Sequence, residues 1–184
     1  MKKVSIAAAC GLVAALALTA PVRADDSINA LLQKVKLPDG FKISLFAKVP
    51  RARSMAIGKP LGTVFVGSRH GMVHVVLDRD KDGVADEIVQ KTDKLKVPNG
   101  MAFLDGSLYV GEQHQISVWA GPSEIDTARP FVPLIPIFKG LPDKFLHGWR
   151  YMKFGPDRKL YVGVGAPCNV CKPEALEASI IRMD

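Results

Sequence analysis

The chain has 184 residues and carries 25 Lys and Arg against 18 Asp and Glu, a formal charge of +7. That excess is mild, and no basic stripe with interleaved aromatics occurs, which argues against a nucleic-acid partner. Beyond the first two dozen residues no apolar stretch is long enough to span a bilayer, so no membrane span is expected after that point.

The N-terminus reads as an export signal. Lys2 and Lys3 form a short positive region, Val4 to Ala20 is an almost unbroken apolar run, and Val22-Arg23-Ala24 places small residues at the −3 and −1 positions of a cleavage site. Residues 1–24 are therefore expected to be a signal peptide, and residues 25–184 a periplasmic or secreted β domain. Cleavage would remove Lys2, Lys3 and Arg23 and lower the charge from +7 to +4. Cys10 lies inside the apolar run and does not read as a lipidation site. The remaining length can bury one sizeable core.

Next along the chain comes the one plausible helix, Asp26 to Lys36, with Asp26 or Ser27 as its cap and Pro38 after its end. From there the pattern is β, and it repeats. Met55-Ala56-Ile57 leads through a turn into Thr63-Val64-Phe65-Val66-Gly67. Met101-Ala102-Phe103 leads through Asp105-Gly106 into Ser107-Leu108-Tyr109-Val110-Gly111. Met152-Lys153-Phe154 leads through Gly155-Pro156-Asp157 into Lys159-Leu160-Tyr161-Val162-Gly163. The closing glycines, Gly67, Gly111 and Gly163, are 44 and 52 residues apart. Short strands rich in β-branched and aromatic residues, joined by tight-turn dipeptides at such a period, predict blades of a β-propeller. The fold expectation is all-β, with about three blades in this chain.

Further strands are expected at Met72 to Leu77, Glu87 to Gln90, Ile116 to Trp119 and Ser179 to Ile181. Blade geometry places the loop before each first strand and the loop after each second strand on one face. The leading segments are Arg51 to Ser54, Val97 to Gly100 and Leu146 to Tyr151. The outgoing loops are Ser68 to His70, Glu112 to His114 and Ala166 to Cys171.

Asp78, Asp80 and Asp82, followed by Gly83 and then Asp86, match the first half of an EF-hand-type calcium loop. Val89 stands where such a loop has its bidentate Glu, so the choice lies between a structural calcium site and an acidic hairpin turn. Cys168-Asn169-Val170-Cys171 lacks the following His of a haem-attachment motif and has no second pair for zinc. A local disulfide or a redox pair remains. His147 is the histidine best placed for proton transfer, against the plain alternative of a solvated loop residue.

The stretch from His147 to Cys171, HGWRYMKFGPDRKLYVGVGAPCNVC, resembles the glucose/sorbosone dehydrogenase family. Leu37 to Ala47 (LPDGFKISLFA) and Val97 to Phe103 (VPNGMAF) look similar to its sorbosone-dehydrogenase branch. The resemblance implies an exported six-bladed propeller that oxidises a sugar or aldehyde with pyrroloquinoline quinone and calcium, then passes electrons to an external acceptor. It implies His147 as general base and Asn99 as a contact to substrate or cofactor. Leu146 replaces the acidic residue that precedes this histidine in the soluble glucose dehydrogenases, so the resemblance supplies no orienting partner for His147. The family's quinone-holding arginines, lysine and calcium ligands lie in later blades. This chain thus reads as the first half of such a protein, expected to be inactive alone. The alternatives are a non-catalytic propeller used for binding, and a lactonase-type hydrolase with a channel calcium drawn from Asn99 and Glu112.

Overall fold

The computed structural model describes residues 26–92, 94–120 and 134–184. The expected signal peptide, its cleavage site and Cys10 lie outside these residues. Two compact units divide the chain, Met1–Ile43 and Ser44–Asp184. The described part of the first holds helix α1, Asp26–Leu32. This helix stops four residues short of the expected end. Its last turn tightens, with Lys34 N bonding to Leu31 O and Val35 N to Leu32 O, before Pro38 turns the chain.

The second unit is built from antiparallel meanders. The first sheet runs β1 (Ala52–Ile57), β2 (Val64–Ser68), β3 (Val73–Leu77) and β4 (Glu87–Thr92) in sequence order. The second runs β5 (Gly100–Leu104), β6 (Ser107–Gly111), β7 (Gln115–Trp119) and β8 (Ile135–Lys139). The third has three strands, β9 (Tyr151–Phe154), β10 (Leu160–Val164) and β11 (Ser179–Met183). The architecture is thus nearly all β, in three antiparallel sheets that do not close on themselves.

First strands adjoin one another: β1 lies against β5, and β5 against β9. Side-chain alternation fixes which face meets which. Phe65, Val73, Val75 and Leu77 of the first sheet pack with Met101, Leu108, Val110 and Trp119 of the second. The opposite face of the second sheet, through Ala102 and Ile116, packs with Met152, Leu160, Val162 and Val164 of the third.

The repeat in the sequence is a repeat of these joints. At Gly67 an added Cβ would lie 2.9 Å from Cε of Met101 and 2.4 Å from the Pro98 carbonyl. At Gly111 it would lie 2.8 Å from Sδ of Met152. Gly67 and Gly111 therefore each receive the methionine of the next first strand, and any side chain there would force the sheets apart. Beside each glycine an aromatic pair completes the joint. Phe65 stacks on Phe103 with centroids 5.6 Å apart, and Tyr109 meets Phe154 edge-on at 5.0 Å.

Candidate functional site

The leading and outgoing loops come together, as the repeat predicts. Arg51 Nη1 lies 2.8 Å from the His70 ring nitrogen Nδ1. Ser68 N donates to Pro98 O at 3.0 Å, joining the first outgoing loop to the second leading segment. Arg69 places its guanidinium carbon 3.3 Å above the Trp149 ring, a cation–π contact from the first sheet to the third. Arg53 lies close enough to Arg69 to lower its pKa, which burial also pushes down as the larger cause.

His147 is half-buried in the third leading segment, at a positive φ of 51°. Its Nδ1 is 2.8 Å from the carbonyl oxygen of Ala166, the first residue of the third outgoing loop. A carbonyl only accepts, so Nδ1 carries a proton, and in the neutral ring Nε2 presents a lone pair. The orienting group that Leu146 does not supply is thus a backbone carbonyl. The approach depends on Gly165, where a Cβ would sit 2.4 Å from the His147 carbonyl oxygen and 2.8 Å from its Cβ.

Asn99 is 1% exposed and donates Nδ2 to the Arg150 carbonyl at 2.9 Å. Its own backbone carbonyl accepts from the Ser54 hydroxyl. The residue ties the three leading segments together instead of facing the loops' open side. Glu112 is 2% exposed. Its Oε2 accepts from Lys96 N at 2.8 Å, and its Oε1 from Gln115 Nε2 at 2.6 Å. These internal bonds leave the Asn99–Glu112 pair of the lactonase alternative committed to structure.

Arg150 is the central residue that sequence reasoning missed. Although 1% exposed, its guanidinium donates to Gln113 O from Nε at 3.1 Å and Nη2 at 2.7 Å, and from Nη2 to Pro142 O at 2.5 Å. A charge buried on carbonyls locks the 142–150 loop against the second outgoing loop. Lys96 adds to that lock, 2.6 Å from Asp143, and holds the Asp143 carboxyl below its usual range. An unbroken Gly-Trp-Arg-Tyr run carries no signal that its arginine turns inward.

In the β3–β4 hairpin, ligand oxygens of Asp78, Asp80 and Asp86 lie within 4.8 Å of one another. Asp78 Oδ1 is buried with no hydrogen-bond partner, an arrangement a hard cation would satisfy. Asp82 does not join them; its Oδ1 accepts from Val84 N at 2.8 Å and serves the turn. The donor set fits calcium through three of the four expected aspartates. Cys168 and Cys171 are disulfide-bonded, with Cα atoms 6.0 Å apart.

No family model matches the sequence, and no curated protein matches it. Among solved structures, a Trichoderma reesei protein of the carbohydrate-active enzymes family AA12 is similar, in its iodide and calcium structures alike. The TM-score is 0.58 at 15% identity, over 72% of this chain and 34% of that one. This likeness concerns the fold. A Thermus thermophilus protein named provisionally as an oxidoreductase (glucose dehydrogenase) aligns at a TM-score of 0.48 and 15% identity, over 67% of this chain and 40% of that one. Kuenenia stuttgartiensis hydrazine synthase aligns at 0.38 and 18% identity, over 70% and 32%. The chain spans about a third of the length of the AA12 protein it matches. No described helix is long and apolar enough to cross a membrane.

Proposed function

We propose that this chain is part of an exported β-propeller oxidoreductase that oxidises a sugar or aldehyde with pyrroloquinoline quinone and calcium. The observation that carries the reading is the His147–Ala166 hydrogen bond, which in the neutral ring leaves Nε2 as a proton acceptor. The joined leading and outgoing loops, and the fold likeness to a carbohydrate-active enzyme, support it. The Cys168–Cys171 disulfide accords with an oxidising compartment, periplasmic or secreted.

When bound, the quinone would accept the hydride from the substrate carbon, helped by a calcium ion that polarises its carbonyl. His147 Nε2 takes the proton of the substrate hydroxyl, or of a hydrated aldehyde, as the carbonyl product forms. Ala166 O keeps Nδ1 protonated and the ring oriented through that transfer. Arg69, whose Nε is buried without a partner, and its neighbour Arg53 would pair with the carboxylates of the anionic quinone.

The test uses the quinone-loaded protein with its complete set of sheets. His147→Ala should cut aldose or aldehyde turnover by at least about a hundredfold, the usual scale for a general base, while quinone binding persists. His114→Ala, in the second outgoing loop, should be nearly silent. Equal losses for the two would make His147 an ordinary loop histidine. Retained ligand binding with no turnover in any form would favour the non-catalytic binding module.

A further inference from the structure

The loop that orients His147 is anchored at both ends to the segment that carries His147. At one end the Ala166 carbonyl meets His147 Nδ1 at 2.8 Å. At the other, Lys144 Nζ lies 3.1 Å from Glu174 Oε1 and 3.0 Å from Glu177 Oε1. The Glu177 side chain is 1% exposed, and its Oε2 accepts from Glu174 N at 2.7 Å. The opposite segment is a tight turn, since a Cβ at Gly148 would overlap the Lys144 carbonyl oxygen. Within that turn His147 has its positive φ, a conformation that persists in a non-glycine residue only where the surroundings fix it.

Between the two anchors the chain has only residues 167–173, and the Cys168–Cys171 disulfide lies inside that stretch. Its Cα atoms are 6.0 Å apart, where the same three links of extended chain would reach about 10 Å. The bond thus takes up slack that begins two residues beyond Ala166. Asn169, Val170, Cys171 and Lys172 are exposed, so packing does little to shape the loop there. In the chain-entropy account, the stability a disulfide gives a whole fold grows with the loop it closes, and this one closes a separation of 3 residues. Its main effect is therefore local, and the nearest group of the site within its reach is the Ala166 carbonyl.

We propose that the Cys168–Cys171 disulfide is a positioning element for His147. By fixing the loop after Ala166 it holds that carbonyl on Nδ1, and so keeps the neutral ring in the tautomer that presents Nε2. A dithiol reverses this by ordinary exchange. One reagent thiolate attacks a protein sulfur, the S–S bond breaks, and the other cysteine leaves as a thiolate. The second reagent thiol then displaces the mixed disulfide. The protein pair gains two electrons, and the dithiol is oxidised to its own disulfide. The redox state of the pair thereby sets which nitrogen of His147 can accept a proton. The consequence for turnover rests on His147 being the base; the consequence for the ring does not.

Nuclear magnetic resonance of the histidine ring nitrogens provides the test, on the protein with its complete set of sheets and at a pH where imidazole is neutral. The His147 signals are assigned by their loss in His147→Ala. With the disulfide intact, Nδ1 should be protonated and Nε2 unprotonated. Dithiothreitol, added to the folded wild type until Cys168 and Cys171 can be labelled as thiols, should shift the ring to a mixture of tautomers, and reoxidation should restore the first state. The Cys168→Ser, Cys171→Ser double variant should show the mixture throughout and ignore the dithiol. In the quinone-loaded double variant kcat should fall by about ten- to a hundredfold, the scale of a misplaced catalytic group, with KM little changed. A tautomer unchanged by reduction overturns the proposal, whatever turnover does, and leaves the disulfide a local staple; this measurement stands even where the double variant fails to fold. A tautomer that shifts with no fall in kcat upholds the positioning role and removes His147 as the base.

Discussion

At the scale of single residues, burial and hydrogen bonding separate groups that the sequence presents alike. Four histidines are spread along the chain. His147 has one nitrogen fixed and one free, whereas His74 sits in β3 at 3% exposure with Nδ1 unpartnered. Desolvation lowers the His74 pKa from its ordinary value of 6.5. The folded chain then holds the ring neutral where the unfolded chain already binds a proton. Stability contributed by the neutral ring is complete above 6.5 and is lost as the pH falls from 6.5 through the lowered folded value. The melting temperature should therefore decline on acidification through that window, and His74→Leu should flatten the decline. An unchanged slope in the His74→Leu protein would assign the effect to another group. Position in the repeat puts Asn99 and Glu112 among the loops, and the fold adds that Asn99 Nδ2 donates to Arg150 O while Glu112 accepts from Lys96 N and Gln115 Nε2.

At the scale of elements, the sequence is most legible where burial alternates along the strand. β6 and β10 alternate cleanly, with Leu108 and Val110, or Leu160 and Val162, turned inward, and their ends are marked by turn residues and the closing glycine. β8 carries no such signal. Pro136 interrupts it and its residues are mostly exposed, so alternation does not announce it; pairing with β7 and the packing of Phe138 on the second core cluster hold it. In the β3–β4 hairpin the expected ligand set changes by one residue for a local reason, since the Asp82 side chain is turned back onto Val84 N. That difference gives a test at this scale. Calcium should raise the melting temperature and a chelator should reverse the rise, because an ion bound only by the folded hairpin stabilises it by roughly 2.7 kcal/mol at a hundredfold excess over its dissociation constant. Asp86→Asn should abolish the response and Asp82→Asn should retain most of it. If Asp82→Asn is as damaging as Asp86→Asn, the ion uses the EF-hand-like register of the sequence and not the cluster of Asp78, Asp80 and Asp86.

At the scale of the whole β unit, the three sheets are not equivalent. Both faces of the second sheet are covered by other sheets: Met101, Leu108 and Val110 meet the first, while Ala102 and Ile116 meet the third. The first and third sheets each have one face in such a joint. Met55 and Ile57 of the one, and Tyr151 and Ile180 of the other, remain in solvent. Local opening is cheapest where least apolar area must be exposed, so stability should be graded across the row. Native-state hydrogen exchange should find the slowest amides in β6 and β7, with β1 and β11 opening at lower free energy. The gradient also sets mutational costs. Ile116, fully buried between the second and third sheets, should lose about 2 to 5 kcal/mol on substitution by Ala. Ile180→Ala, at an exposed position of β11, should cost under about 0.5 kcal/mol in the same protein. Equal costs at Ile116 and Ile180, together with uniform exchange in all three sheets, would mean that the unit unfolds as one block.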